Sequence, residues 1–181
     1  MIKKVLLGFA AFIVVASLVS FLLPSQSTVY RTTTIAAPQE MVRAEVVNFR
    51  NWKSWSPWAQ KDPSSVVVYS SAEGQVGSWY TWEGEKLGKG KMTATYLAPD
   101  SMNSDLLFDG SGGTTSGFKF TPTKGGTQVL WTMHADLGYN PMMRYMGLFF
   151  DKFIGPDYEA GLANLKKIAE QKAKKNKGDK C

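Results

Sequence analysis

The chain has 181 residues, of which 44% are hydrophobic, 20% charged and 13% aromatic, which is typical of one folded domain with an appendage. The net charge of +6 comes largely from nine lysines among the first four and last sixteen residues, and without them twelve basic face fifteen acidic side chains. A basic surface for nucleic acid is therefore not indicated. The one cysteine, Cys181, excludes an internal disulfide and a cysteine metal cluster.

Residues 5–23 are nineteen residues without a charge, and Pro24 follows them. As a helix this run would be about 28 Å long, close to the hydrocarbon thickness of a bilayer. Lys3 and Lys4 precede the run and no basic residue follows before Arg31, which predicts a cytoplasmic N-terminus and an extracytoplasmic domain, periplasmic in a Gram-negative cell. A cleaved signal peptide is the alternative, although the run is long and no small-x-small site ends it. We expect an uncleaved anchor.

The next segment predicts a strand and a short helix. Residues 28–38 alternate and are rich in β-branched side chains, as in a first strand. Pro38 then stands where the first helical residue would be, and Val42, Val46 and Phe49 follow at helical spacing.

Three tryptophans, Trp52, Trp55 and Trp58, then occur at intervals of three before Pro63. Pro57 forbids a long continuous helix here, so we expect a single helical or 3₁₀ turn. We interpret Trp52 and Trp55 as a structural plug at one end of the domain and Trp58 as part of a cavity rim.

From residue 66 onward, short alternating segments separated by glycine turns predict an antiparallel meander. The expected strands are residues 66–70, 78–84, 89–97, 105–110, 117–122 and 128–137. One face is apolar and the other polar, so the sheet is expected to be half buried. Its cover is expected to be a long C-terminal helix that starts at Pro156 and repeats Tyr158, Leu162 and Leu165 at helical spacing.

Chemical signals are weaker. The only histidine, His134, falls on the face opposite Trp131, which favours a structural or surface role. Glu83 and Asp109 lie near strand ends and are possible acid/base residues, although solvated strand ends explain them equally well. The sequence shows no metal-ligand pattern, and we expect no metal and no cofactor.

Aromatic and methionine side chains are abundant on the apolar face and in residues 142–150, as in a pocket for a flexible apolar ligand or in a filled core. The candidate cavity residues are Trp58, Tyr80, Trp82, Met92, Tyr96, Phe108, Phe118, Phe120, Trp131, Met133, Met143, Met146 and Phe150.

Several segments together resemble one family. "YRTTTIAAPQEMV", "NWKSWSPW", "GSWYTWEG", "GKGKM" and "DYEAGLANLKKIAE" are similar to the SRPBCC superfamily (START, Bet v 1 and polyketide cyclase-like proteins), in its bacterial polyketide cyclase/dehydrase-type branch, some members of which carry an N-terminal membrane helix. The resemblance implies an α+β helix-grip fold of about seven antiparallel strands wrapped around the C-terminal helix, with a cavity for apolar ligands between them. It implies no particular reaction.

The expected organisation is a cytoplasmic stub (1–4), a membrane anchor or signal sequence (5–23), a linker (24–27), the helix-grip domain (28–171) and a lysine-rich tail (172–181). The expected function is a membrane-anchored binding or carrier domain for a hydrophobic small molecule or lipid, without turnover. The alternatives are a cyclase/dehydrase-like enzyme acting on an apolar substrate, and a protein-interaction module. No nucleic-acid partner is expected.

Overall fold

The structure, a computed structural model, describes residues 1–108 and 113–178. A 3₁₀ turn at Phe49–Asn51 separates the second and third of its helices. The elements in chain order are α1 (Ile2–Ser20), β1 (Gln26–Ile35), α2 (Gln39–Val47), α3 (Trp52–Trp55), α4 (Pro57–Lys61), β2 (Val66–Tyr69), β3 (Trp79–Gly84), β4 (Gly88–Ala98), β5 (Ser101–Phe108), β6 (Thr114–Thr123), β7 (Gly126–Asp136), α5 (Pro141–Gly147) and α6 (Phe150–Gly178).

Beyond Lys3 and Lys4 in its first turn, the first helix is apolar on all sides. Its mean hydropathy over an 18-residue window is 2.2, and none of that window is buried against the rest of the chain. A soluble protein would be expected to cover such a surface. By length and composition α1 is able to cross a membrane, and its place near the N-terminus is also that of a signal sequence.

The seven strands form one antiparallel sheet in the order β1-β7-β6-β5-β4-β3-β2. Strands β2 to β6 each pair with the next strand along the chain, and β1 pairs with β7 over Gln26–Ile35. The sheet stays open because β1 and β2 are its two edges. The predicted seven-strand sheet is confirmed, although β5 begins at Ser101, four residues before the expected position.

The long C-terminal helix begins earlier than predicted. We expected its start at Pro156, but α6 begins at Phe150 and Pro156 lies inside it. Proline removes one helical hydrogen bond and usually ends a helix. Here the helix continues, and beyond the proline it buries a stripe that packs on the sheet. That stripe consists of Tyr158, Leu162, Leu165, Ala169 and Ala173.

Ion pairs fix α6 in place at both ends. The guanidinium of Arg31 on β1 contacts the carboxylates of Asp151 and Glu159, each at 2.7 Å. Near the other end, Lys172 contacts the buried carboxylate of Glu45 on α2, also at 2.7 Å. The helix is therefore held against the inner face of the sheet, which confirms the helix-grip architecture.

Helix α2 lies at the end of the domain at which β1 ends, where the Nε of Arg43 donates to the carbonyl of Ala98 at 2.9 Å. Helix α3 packs against α2 through its two tryptophans. The indole N–H of Trp52 donates to the carbonyl of Val46 at 2.7 Å, and that of Trp55 donates to the carbonyl of Glu45 at 3.2 Å. Trp52 and Trp55 are almost completely buried. Pro57 is the first residue of α4, a position where proline is favoured because its missing N–H is not needed.

Candidate functional site

Aromatic rings fill the centre of the space between the sheet and α6. The ring of Trp131 on β7 stacks on that of Tyr158 on α6, with 3.9 Å between their centroids, and on that of Phe118 at 4.8 Å. Trp55 contacts Trp131 edge-on at 5.5 Å, and Trp52 does so at 6.0 Å. Edge-to-face and stacked contacts of this kind are those of a packed interior.

Polar groups inside this cluster are satisfied locally. The indole N–H of Trp131 donates to the hydroxyl of Ser116 at 3.0 Å. Burial raises the pKa of the Tyr158 hydroxyl above its usual range, and a hydrogen bond with Ser116 opposes that shift. Tyr158 therefore stays neutral at physiological pH and acts as a packing residue rather than as a ready base.

Helix α6 approaches the cluster through a glycine. A Cβ atom at Gly161 would lie 2.8 Å from a ring carbon of Trp131 and 3.2 Å from Pro57. Any larger side chain would push the helix away from the sheet. Close packing therefore extends through the middle of the sheet–helix interface.

Aromatic rings are less buried at the end of the sheet where β3 and β5 end and β4 begins than at the centre of the interface. The indole ring of Trp82 lies directly over the backbone of Gly90. A Cβ atom at Gly90 would be only 2.0 Å from the ring, so this position requires glycine. The ring centroid of Trp82 is 5.7 Å from that of Phe108 and 5.6 Å from that of Tyr80. Phe108 remains 42% exposed. Tyr80, Trp82 and Phe108 form a half-open wall, which we call the aromatic wall.

An open cleft of about 690 Å³ adjoins the aromatic wall at Phe108. Its apolar lining comes from Leu87 and Phe108, and its rim carries the ion pair between Glu83 and Lys89, whose charged atoms are 2.7 Å apart. An apolar wall beside a few charged groups is typical of sites that bind amphipathic or apolar small molecules. The cleft residues are Ser64, Glu83, Gly84, Glu85, Leu87, Gly88, Lys89 and Phe108.

Asp62 lies behind one side of this cleft and holds two of its lining residues, Ser64 and Leu87, and sequence reasoning missed it. Its buried carboxylate accepts hydrogen bonds from the Ser64 hydroxyl at 2.8 Å and from the backbone N–H groups of Lys86 and Leu87 at 3.0 and 3.2 Å. The Ser64 hydroxyl, followed by the Lys86 N–H, holds the pKa of Asp62 below its usual range. The sequence signal was the run Asp62-Pro63-Ser64, a turn-forming combination.

The structure distributes the predicted cavity residues over three environments. Those in the packed core are Met92, Phe118, Phe120, Trp131 and Met133. Those partly buried against that core are Trp58, Tyr80, Trp82, Met143 and Phe150. The exposed ones are Tyr96, Phe108 and Met146. Asp109 lies outside the described residues, and Glu83 is exposed in its ion pair with Lys89.

Only some of these residues meet at the cleft. Of the predicted cavity residues, Phe108 lines the cleft and Tyr80 and Trp82 lie behind it in the aromatic wall. Met143, Met146 and Phe150 lie elsewhere, on α5 and at the start of α6. Tyr96 is 51% exposed, because the pairing of β4 with β5 shifts between Ala94 and Tyr96 and ends the simple alternation of faces there.

Other candidate chemistry lies away from the cleft. The ring of His134 is exposed, and its Nδ1 is 2.9 Å from the hydroxyl of Thr28. Across residues 1–108 and 113–178, the structure brings no three His, Cys, Asp or Glu side chains together in an arrangement that could hold a metal ion.

A family model described as "Polyketide cyclase / dehydrase and lipid transport" matches residues 26–170, which is most of the chain. The protein belongs to this polyketide cyclase/dehydrase and lipid transport family. The predicted family resemblance is therefore confirmed, and the matched range covers the sheet and most of α6 but not α1. No curated protein sequence matches the chain.

Solved structures show the same fold at low sequence identity. A Staphylococcus aureus protein of unknown function superposes with a TM-score of 0.63 at 10% identity, covering 82% of this chain and 96% of its own. A Chromobacterium violaceum protein superposes with a TM-score of 0.56 at 16% identity, and the match covers 80% of this chain and 98% of that protein. The di-domain ARO/CYC StfQ from the steffimycin biosynthetic pathway gives 0.61 at 14% identity, covering 82% of this chain and 52% of StfQ. At these identities the likeness shows the fold alone.

Proposed function

We propose that this chain is a membrane-anchored domain that binds a hydrophobic small molecule or a lipid without converting it. The observation that carries the proposal is the cleft beside Phe108, since it joins apolar side chains to the aromatic wall in a family whose description includes lipid transport. The centre of the sheet–helix space supports a bound ligand less well, because Trp52, Trp55 and Trp131 pack there.

The position of the cleft relative to α1 supports the same function. In this antiparallel sheet, β3 and β5 end, and β4 begins, at the same end at which β1 begins and β7 ends. Helix α1 precedes β1 by a short linker. The cleft and the apolar helix therefore lie toward one end of the domain, and tethering at a bilayer would raise the local concentration of an apolar ligand there.

The proposed topology follows from charge. Lys3 and Lys4 lie in the first turn of α1, before its apolar run, which favours a cytoplasmic N-terminus and an extracytoplasmic binding domain. An uncleaved α1 is part of this proposal, because only a retained helix keeps the domain at the membrane.

Native mass spectrometry of the full chain, extracted from membranes in a mild detergent, tests the proposal. We expect apolar molecules of defined mass on the wild-type protein, and an intact N-terminus. Phe108→Ala should reduce the retained ligand by about tenfold, because it removes an apolar contact worth roughly 1.4 kcal/mol.

Leu107→Ala is the matched control, since Leu107 is the exposed neighbour of Phe108 on the opposite face of β5. It should retain ligand like the wild type. A chain that carries no apolar molecule, or equal retention in both variants, would contradict ligand binding at the cleft. A product of altered structure that disappears in Glu83→Gln would instead support the enzyme alternative.

A further inference from the structure

Helix α5 buries its arginine and exposes two of its three methionines, while Met143 packs against the core. Its arginine, Arg144, is only 7% exposed, whereas Met142 is 68% exposed. The following turn and the start of α6 continue the apolar surface, with Phe149 at 51% and Phe153 at 61%. We call this surface the α5–α6 face; it consists of Tyr139, Met142, Met146, Leu148, Phe149 and Phe153.

Arg144 is buried because it binds the end of α1. Its Nη1 donates to the carbonyl oxygens of Ser20, Phe21 and Leu23 at 3.3–3.4 Å. Its Nε donates to the carbonyl of Gly138 at 2.8 Å. A cation at this position adds a donor to carbonyl groups at the C-terminal end of the helix and complements the helix dipole. Helix α5, which carries Met142 and Met146 of this face, is therefore fixed beside the point where α1 ends.

Tyr145 sets the depth of α5 along α1. Its hydroxyl donates to the carbonyl of Ala16 at 2.8 Å. Ala16 lies one helical turn before Ser20, about 6 Å along the helix axis. Helix α5 is therefore level with the last turn of α1 rather than with the body of the sheet.

These contacts determine where the face would lie in a membrane. The 19 residues of α1 span about 28 Å, so a spanning α1 has its last turn at the boundary between acyl chains and headgroups. Side chains level with that turn lie at the same depth. Tyrosine and other aromatic side chains are enriched at this boundary, and surface-bound helices bury an apolar face in it.

We propose that the α5–α6 face docks on the lipid bilayer beside α1, so that the domain lies against the membrane surface instead of hanging from a flexible linker. The inference rests on the proposed anchoring by α1, and it adds a second contact with the membrane. A second copy of the chain or another protein would be different occupants of the same face.

Fluorescence quenching by lipids tests the docking on the full chain. In a Cys181→Ser background, Met142→Cys and Phe149→Cys each accept an environment-sensitive nitrobenzoxadiazole label at an exposed position. The proteins are reconstituted into phosphatidylcholine vesicles with and without a lipid that carries a nitroxide near the top of its acyl chain. Val76→Cys is the matched control, an apolar residue that is 58% exposed in the loop before β3, toward the opposite end of the strands.

We expect blue-shifted emission and about twofold quenching at residues 142 and 149, as for groups buried 5–10 Å into the interface, and no quenching at residue 76. Circular dichroism checks that each labelled protein keeps its fold. Flotation with the vesicles after alkaline washing reports anchoring by α1 separately.

Three results would overturn the docking. Labels at 142 and 149 that stay unquenched on floating protein contradict the docking alone and leave the anchor intact. A blue shift without lipid quenching shows a protein occupant. Protein that does not float shows that α1 is no anchor, which removes both the anchoring and the docking.

Discussion

Trp55 provides a sharp test of whether the middle of the sheet–helix space is a packed core or a ligand cavity. Its side chain is completely buried, its ring centroid lies 4.8 Å from that of Trp52 and 5.5 Å from that of Trp131, and its N–H donates to the carbonyl of Glu45. In a packed interior, Trp55→Ala loses the transfer free energy of the ring and leaves a void. We expect the free energy of unfolding to fall by about 4 kcal/mol.

Urea unfolding of the full chain in mild detergent, followed by far-ultraviolet circular dichroism, measures this loss. For a urea m-value of about 2 kcal/mol/M, the midpoint should fall by about 2 M. The control is Trp79→Ala, since Trp79 is half-buried on the other face of β3, with the Lys91 ammonium 5.1 Å from the centre of its ring. Its loss should cost about 1 kcal/mol. Equal costs for the two variants would refute close packing around Trp55.

Two further predictions concern the α6 interface and the cleft. Gly161→Val places a side chain against the ring of Trp131, so it should destabilise the protein by about 1–3 kcal/mol in the same assay, whereas an unchanged midpoint would mean that α6 moves freely. The Asp62 carboxylate accepts hydrogen bonds from the backbone N–H groups of Lys86 and Leu87. Asp62→Asn should therefore speed hydrogen exchange at these two amides and leave the exchange at Gly161 unchanged. Because the folded pKa of Asp62 lies below its ordinary value, wild-type protection at these amides should persist down to about pH 4 and be lost only as the pH falls through that lower folded pKa; protection already lost above about pH 4 would contradict this role.

The architecture was largely predictable from the sequence, because alternation, turn residues and helical spacing each act over a few neighbouring positions. The seven strands and the apolar N-terminal helix follow from such local patterns. The start of α6 was predicted wrongly, since Pro156 is a strong local stop signal and the packing that overrides it is not local. The position of Tyr96 depends on a β-bulge, and nothing in the alternating pattern marks it.

The candidate site was less predictable. The apolar periodicity of the strands selects a face of the sheet, but it does not tell a filled core from a cavity wall. Trp131 and Trp82 have the same sequence signal, yet one is stacked on α6 and the other lies at the half-open end. Trp131 is part of the core because Tyr158 and Gly161 of α6 pack against it. Such contacts between distant parts of the chain are visible only in the three-dimensional structure.

Photocrosslinking tests most directly the central claim that an apolar ligand binds at the cleft of a membrane-anchored domain. The full chain is reconstituted into vesicles that contain a phospholipid with a diazirine in its acyl chain, then irradiated and digested, and the modified peptides are identified. We predict modification of peptides containing Trp82 and Phe108, with the latter signal lost in Phe108→Ala. Modification confined to α1 and the α5–α6 face, with none between residues 80 and 108, would contradict the claim.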